Sequence, residues 1–402
     1  MTTTSSDALC STSDAPQKLI SLSFNAKITV SVVYGVLFMM GVYGNVVVMK
    51  VIRVLRKRTC IQQTVNYHMT SMACSDLLIL IIGIPTELHA IIWCPSPWPT
   101  GNLGCKCFYF IWEVSSYATI FNILAFSIER YLAICHPLQL KQMSRTRTKK
   151  LITLVWLAAV VFGVPILFSI GIEDALMPFQ NSGESRPPIW ICTNISSQKG
   201  IFRTAIYTSF SLYLLVLLLV AVTCQQMMRK LLTDKSGSLR VKTINGSVQD
   251  LPMSGDAGGH RTSARQQTIV MLGCIMGALA ICWIPFQSRR LMTVLRIKSQ
   301  WTDDYYNSYI VLQPITNSFY YLSSTVNPFL YNLSSRQFRR VFLLTLKRCH
   351  SWNKEFPISG LHSESNSFCK RNSSLLQVLQ NQPGPIETNP DESSRRRASF
   401  DV

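Results

Sequence analysis

The chain has 402 residues, 48% of them hydrophobic and only 15% charged, with a net charge of +19. Soluble domains carry roughly a quarter charged residues, so the composition excludes an ordinary water-soluble enzyme and points to a membrane protein. The excess of positive charge does not imply nucleic acid, because of where it falls along the chain.

Residues 1–27 are polar and hold no apolar run suited to a cleaved leader, so the first span is expected to act as its own signal anchor. Seven apolar stretches follow, at about 29–51, 65–93, 105–133, 151–172, 202–228, 267–295 and 306–331. Each is long enough for a bilayer core, which needs roughly 20 residues per helix. Backbone polar groups must be satisfied inside a span, so these are read as helices. Arg53, Arg56, Lys57 and Arg58 follow the first span, and Lys141, Arg145, Arg147, Lys149 and Lys150 precede the fourth. On the opposite side, residues 94–104 hold no Lys or Arg. The positive-inside rule then puts the N-terminus outside. Connection 231–264 is rich in Gly and Ser and is expected to be disordered.

The fold expected is an all-α membrane protein: a seven-transmembrane helix bundle plus a short amphipathic membrane-surface helix. Its parts are an outer tail (1–27), the bundle (28–333), the surface helix (334–350) and a disordered cytoplasmic tail (351–402). In the surface helix, Phe338, Val341, Phe342 and Thr345 recur at helical spacing beside Arg339 and Arg340, a pattern suited to membrane lipid. Cys349 at its end is a palmitoylation candidate. Arg395–Arg397 before Ser399 suit phosphorylation by a basic-directed kinase, and Phe400-Asp401-Val402 suits strand addition to a PDZ domain. A solvated, unbound tail is the other reading of both.

Topology puts Cys10, Cys94, Cys105, Cys107 and Cys192 outside. A Cys10–Cys94 bridge and two free thiols both remain open. Asn194-Ile195-Ser196 is the sequon on the outer side, which makes Asn194 a glycosylation candidate.

Three constellations carry the functional reading. Glu129-Arg130-Tyr131 closes the third span and runs on to Ala133-Ile134-Cys135-His136-Pro137. Cys282-Trp283-Ile284-Pro285 lies in the sixth span and Asn327-Pro328-Phe329-Leu330-Tyr331 in the seventh. A charge pair at the end of a membrane helix is costly unless it acts as a latch; a static ion pair is the plainer alternative. Proline kinks a helix, so a bulky ring at the kink can transmit changes in a pocket.

Together, over about 28–350, these motifs resemble the rhodopsin-like class of G-protein-coupled receptors. The resemblance implies a plasma-membrane receptor rather than an enzyme, with heterotrimeric G proteins of the Gq, Gs and G12/13 classes, receptor kinases and arrestins as partners. It assigns the switch to Glu129, Arg130, Tyr131, Asn327, Pro328 and Tyr331, and the toggle to Trp283 and Pro285. It implies a disulfide between Cys105 and Cys192. Asp76, an acid inside the second span, marks an ion or proton site or a structural hydrogen bond. By resemblance it holds an allosteric sodium ion with Thr119, Ser323 and Asn327.

Glu113 and Arg290 lie toward the outer ends of the third and sixth spans, and buried charges in a bundle normally pair. They are expected to bridge across a ligand pocket that includes Trp112. No Lys lies between Lys298 and Lys347, which excludes an opsin-like Schiff base. Trp112 stands where amine receptors carry an Asp.

Ser75-Asp76-Leu77-Leu78, Cys105-Lys106, Ser116-Tyr117-Ala118-Thr119 and Ile191-Cys192-Thr193-Asn194 resemble the ghrelin/neurotensin receptor branch, and within it the zinc-sensing orphan member. No cofactor is required on this reading; Zn2+ is a candidate agonist. Residues 1–27 hold no His, and His89 is the candidate outer ligand, an ordinary rim histidine being the other reading. A peptide-hormone receptor that ignores zinc and a non-signalling decoy or scaffold receptor remain as alternatives. A transporter would show repeated halves, which the sequence lacks.

Overall fold

The computed structural model describes residues 22–58, 63–94, 98–136, 145–174, 190–244, 255–296, 300–332 and 336–347. Cys10, Cys349 and Ser399 lie outside the described residues, so the bridge, lipid and phosphate readings that rest on them have no structural counterpart.

Helix α1 spans Phe24–Arg58. Helix α2 begins at Gln63–Leu78 and continues to Trp93 through π-helical turns at Ile79–Gly83 and Leu88–Trp93. These wide turns bracket Pro85, whose ring cannot donate a helical hydrogen bond. Helix α3 is Gly101–Cys135, α4 is Arg145–Ser169, α5 is Lys199–Ile244 and α6 is Gly255–Leu295. All six are long and apolar enough to cross a membrane. Helix α7, Asp303–Tyr331, packs against α6 and α1. It buries Asn317, Ser323, Ser324, Thr325 and Asn327, so its inward stripe is polar. Helix α8, Arg336–Lys347, packs on α1.

Three expectations need correction. The fourth helix stops at Ser169, and Ile170–Asp174 leave it as strand β1. This strand pairs antiparallel with β2, Trp190–Asn194, with Ile172 opposite Cys192. Connection 231–264 is helical through Ile244 and again from Gly255, because nothing in Lys199–Ile244 is a proline and the backbone bonds simply continue. Finally, the apolar stripe of α8 does not lie open. Phe338, Val341, Phe342 and Thr345 are buried, while Leu343 and Leu344 are exposed.

The helices are tied at several levels by polar contacts. Asn45 donates to the Ser324 carbonyl at 3.0 Å, joining α1 to α7. Trp156 donates to Ser71 at 2.9 Å, joining α4 to α2. Ser127 and Thr223 share a bond of 2.6 Å between α3 and α5. Helices α1, α2 and α7 approach closely at Gly41. A Cβ on Gly41 would stand 2.6 Å from Leu80 Cδ1 and 2.8 Å from Thr325 Oγ1, whereas one on Gly35 would meet nothing within 4 Å. Thr325 cannot easily yield, since its hydroxyl bonds the Leu37 and Tyr321 carbonyls. Gly41→Ala is therefore expected to destabilise the receptor by about 1–3 kcal/mol, and Gly35→Ala to stay within about 0.5 kcal/mol of wild type. Thermal unfolding of both variants in lipid nanodiscs checks the contrast.

Candidate functional site

Cys105 at the head of α3 is disulfide-bonded to Cys192 in β2, with Cα atoms 5.7 Å apart. The bond anchors the β1/β2 hairpin over the outer mouth of the bundle. Beneath it lies a cavity of about 250 Å3 whose lining includes Glu87, Trp112, Glu113, Phe286, Arg289 and Arg290.

Arg290 Nη2 donates to Glu113 Oε2 at 2.8 Å, and its Nη1 donates to Ser209 at 3.2 Å. One guanidinium thus ties α6 to α3 and α5 across the cavity. Both side chains are nearly sealed from water, at 11% and 4% exposure.

A second network was not read from the sequence. Glu87 on α2 is fully buried and accepts from Tyr34 (2.8 Å), Asn317 (2.8 Å) and Tyr321 (2.7 Å). Asn317 accepts in turn from Arg289 at 3.5 Å, and Arg289 also donates to Thr316 at 3.1 Å. The signal was present: a carboxylate within a membrane span implies a partner nearby. It was missed because the partners come from α1 and α7, far off in sequence.

The cavity floor is aromatic. Trp112 stacks on Tyr320 with ring centres 5.2 Å apart, and Phe286 lies 4.5 Å from the same ring. Tyr320 shares a 2.6 Å hydrogen bond with Ser116 and sits 5.4 Å from Trp283. Trp283 stacks on Tyr213 and donates to Ser323 at 3.0 Å. A continuous run of rings therefore leads from the cavity to the tryptophan two residues before Pro285.

Below that, Asn327 donates to Asp76 Oδ2 at 2.9 Å. Asp76 Oδ1 is buried and accepts no hydrogen bond among the described residues. Thr119 bonds Ser75, and Ser323 donates to the Tyr320 carbonyl, so neither hydroxyl is committed to Asp76. The spare carboxylate oxygen suits a small cation. Pro328 packs at Gly44 of α1, and Tyr331 is fully buried.

At the inner end of α3 the expected pair is present but loose. Arg130 Nη2 is 4.0 Å from Glu129 Oε2 and donates instead to Thr64 at 2.8 Å. Glu129 accepts from Thr148 at 2.9 Å and has His68 Nε2 at 3.2 Å. Tyr131 reaches His136 at 3.4 Å.

The outer candidates are dispersed. His89 is exposed while Glu87 is buried, so the two do not face one site. No cluster of three His, Cys, Asp or Glu able to hold a metal occurs among the described residues. These donors do not fit a zinc site. Asn194 is half-buried in β2, borders the cavity and accepts from Thr193 at 3.3 Å; a strand position facing a pocket presents it poorly for glycosylation.

This is the architecture of a membrane receptor, with a lidded outer cavity joined through aromatic rings to a charged inner end. Residues 44–331 match the family model of the 7 transmembrane receptor (rhodopsin family), and the chain belongs to that family. It is 37% identical to G-protein coupled receptor 39 of Mus musculus, over 92% of this chain and 88% of the mouse protein. It is 39% identical to the Homo sapiens G-protein coupled receptor 39 over 80% of this chain and 73% of that one. Neurotensin receptor type 1 of Homo sapiens is 34% identical, over 83% of this chain and 80% of its own length. These relatives are signalling receptors rather than enzymes, which agrees with the ghrelin/neurotensin resemblance.

The Glu113–Arg290 pair yields a stability test. Glu113→Arg or Arg290→Glu leaves a buried charge without its partner and is expected to cost about 3–5 kcal/mol. The exchanged double variant is expected to recover most of that loss, as read by thermal unfolding in nanodiscs. Additive losses in the double variant would show that the two charges are not coupled.

Proposed function

We propose that this chain is a plasma-membrane receptor, N-terminus outside, that converts binding of a peptide or small organic ligand in the outer cavity into guanine-nucleotide exchange on heterotrimeric G proteins. The observation that carries the reading is the run of contacts from Glu113–Arg290 through Trp112, Phe286 and Tyr320 to Trp283. A ligand that displaces either charge, or presses on Trp112, changes the packing around Trp283. Since Pro285 lies inside α6 and proline favours a kink, a small shift there becomes a larger swing at its inner end. Arg130 then serves a G protein entering between the helices. Family resemblance supports Gq, Gs and G12/13 as coupling classes, with α7 as the seventh span and α8 against the inner leaflet.

The donor set supports an organic ligand over zinc. The cavity offers acids already answered by arginines and hydroxyls, and His89 stands apart. Sodium fits better. A monovalent cation at Asp76 would supply the positive charge that Oδ1 lacks, and Asp76 and Asn327 would hold it.

Nucleotide-exchange assays with purified receptor and G protein test the reading. Arg130→Ala is expected to reduce exchange at least about tenfold, and zinc chloride is expected to leave the wild-type rate flat. A zinc-dependent rise that Arg130→Ala abolishes would replace the organic-ligand reading with metal sensing. Separately, sodium chloride, compared with choline chloride, is expected to raise the unfolding temperature of wild type but not of Asp76→Asn.

A further inference from the structure

The inner end of α3 holds an arrangement that its sequence motif does not specify. The two oxygens of Glu129 face Thr148 of α4 at 2.9 Å and His68 of α2 at 3.2 Å. Arg130, the neighbour in sequence, is left at 4.0 Å. Its guanidinium donates to the Thr64 hydroxyl at 2.8 Å and sits 5.7 Å from the centre of the Phe126 ring. His68 is wholly buried and packs its own ring 5.6 Å from that of Phe126. Thr64 and His68 are one turn apart on a single face of α2. One stretch of α2 therefore receives both members of the pair, each on a separate partner.

Helix α6 supplies no alternative. Between Gly255 and Leu295 the only carboxylate is Asp256, at the far inner start of the helix. The restraint on Arg130 is thus a neutral hydroxyl, and the acid that would hold it more tightly is engaged by His68 and Thr148. A bond between a charge and a hydroxyl in place of a close ion pair is the weaker hold.

We infer that His68 is a positioning residue for G-protein activation: it draws Glu129 away from Arg130, so that the hydrogen bond retaining the arginine among the described residues is the one to Thr64, and the arginine is released at low cost. Without the imidazole, Glu129 turns to the neighbouring guanidinium of Arg130 and closes the pair. This inference rests on the reading of Arg130 as the group that serves the G protein.

The experiment is ligand-free nucleotide exchange by full-length receptor in nanodiscs, normalised to folded receptor. His68→Leu is expected to lower the rate roughly tenfold. Adding Glu129→Gln to His68→Leu is expected to restore it, because no carboxylate is left to capture Arg130. His68→Gln, which keeps a donor, is expected to fall less than His68→Leu. Thr64→Val disturbs no charge and so gives a second, independent arm; it is expected to raise the rate about threefold to fivefold. An unchanged or raised rate in His68→Leu overturns the inference, as does failure of Glu129→Gln to rescue it or a fall in Thr64→Val. Arg130→Ala separates the two levels. If it leaves exchange intact, the functional reading fails; if it abolishes exchange while the His68 and Thr64 variants behave as wild type, only the inference fails.

Discussion

A carboxylate enclosed by membrane-spanning helices has no water to solvate it, and among the described residues four such acids are buried: Asp76, Glu87, Glu113 and Glu129. Each must draw its counter-group from another helix. Glu113 takes Arg290 from α6, and Glu87 takes Tyr34 from α1 with Asn317 and Tyr321 from α7. Asp76 takes Asn327 from α7, and Glu129 takes His68 from α2 and Thr148 from α4. Two acids lie toward the outer face, one midway and one at the inner end. These demands fix which helices must be neighbours at every depth. Apolar packing alone, in a solvent as apolar as the side chains, discriminates far less.

The same bonds explain how a bundle held this way can still move. A charge with two acceptors within reach has two stable arrangements, and a ligand selects between them by its difference in affinity. On the proposed reading the rings between Trp112 and Trp283 carry the selection, since a close-packed aromatic cluster transmits displacement rather than absorbing it. The disulfide from Cys105 to Cys192 holds the hairpin over the cavity.

Much of this was legible in the sequence. Apolar length located the six helices long and apolar enough to cross a membrane, and buried charge brought Glu113 to Arg290. The limits were of two kinds. Helix ends depend on what lies outside the bilayer, so the strand at Ile170–Asp174 and the inner extensions of α5 and α6 did not register in an apolar count. Partner choice depends on three-dimensional adjacency. Glu129 beside Arg130 reads as a pair in one dimension, yet His68, 61 residues away, is closer to its carboxylate. Glu87 went unread for the same reason. Its partners lie on α1 and α7.

The widened turns of α2 carry a further consequence. Each places an additional residue in the circuit, which resets the angular phase of everything beyond it by up to about 100°. Glu87, beyond the first of these turns, is buried, and His89, two residues further on, is exposed. The outer half of α2 thus behaves like a dial set by Ile79–Gly83: removal of a single residue there would turn Glu87 off its three donors and bring a neighbouring side chain into the cavity wall. Chain length in this short stretch, as much as residue identity, determines what chemistry the pocket offers.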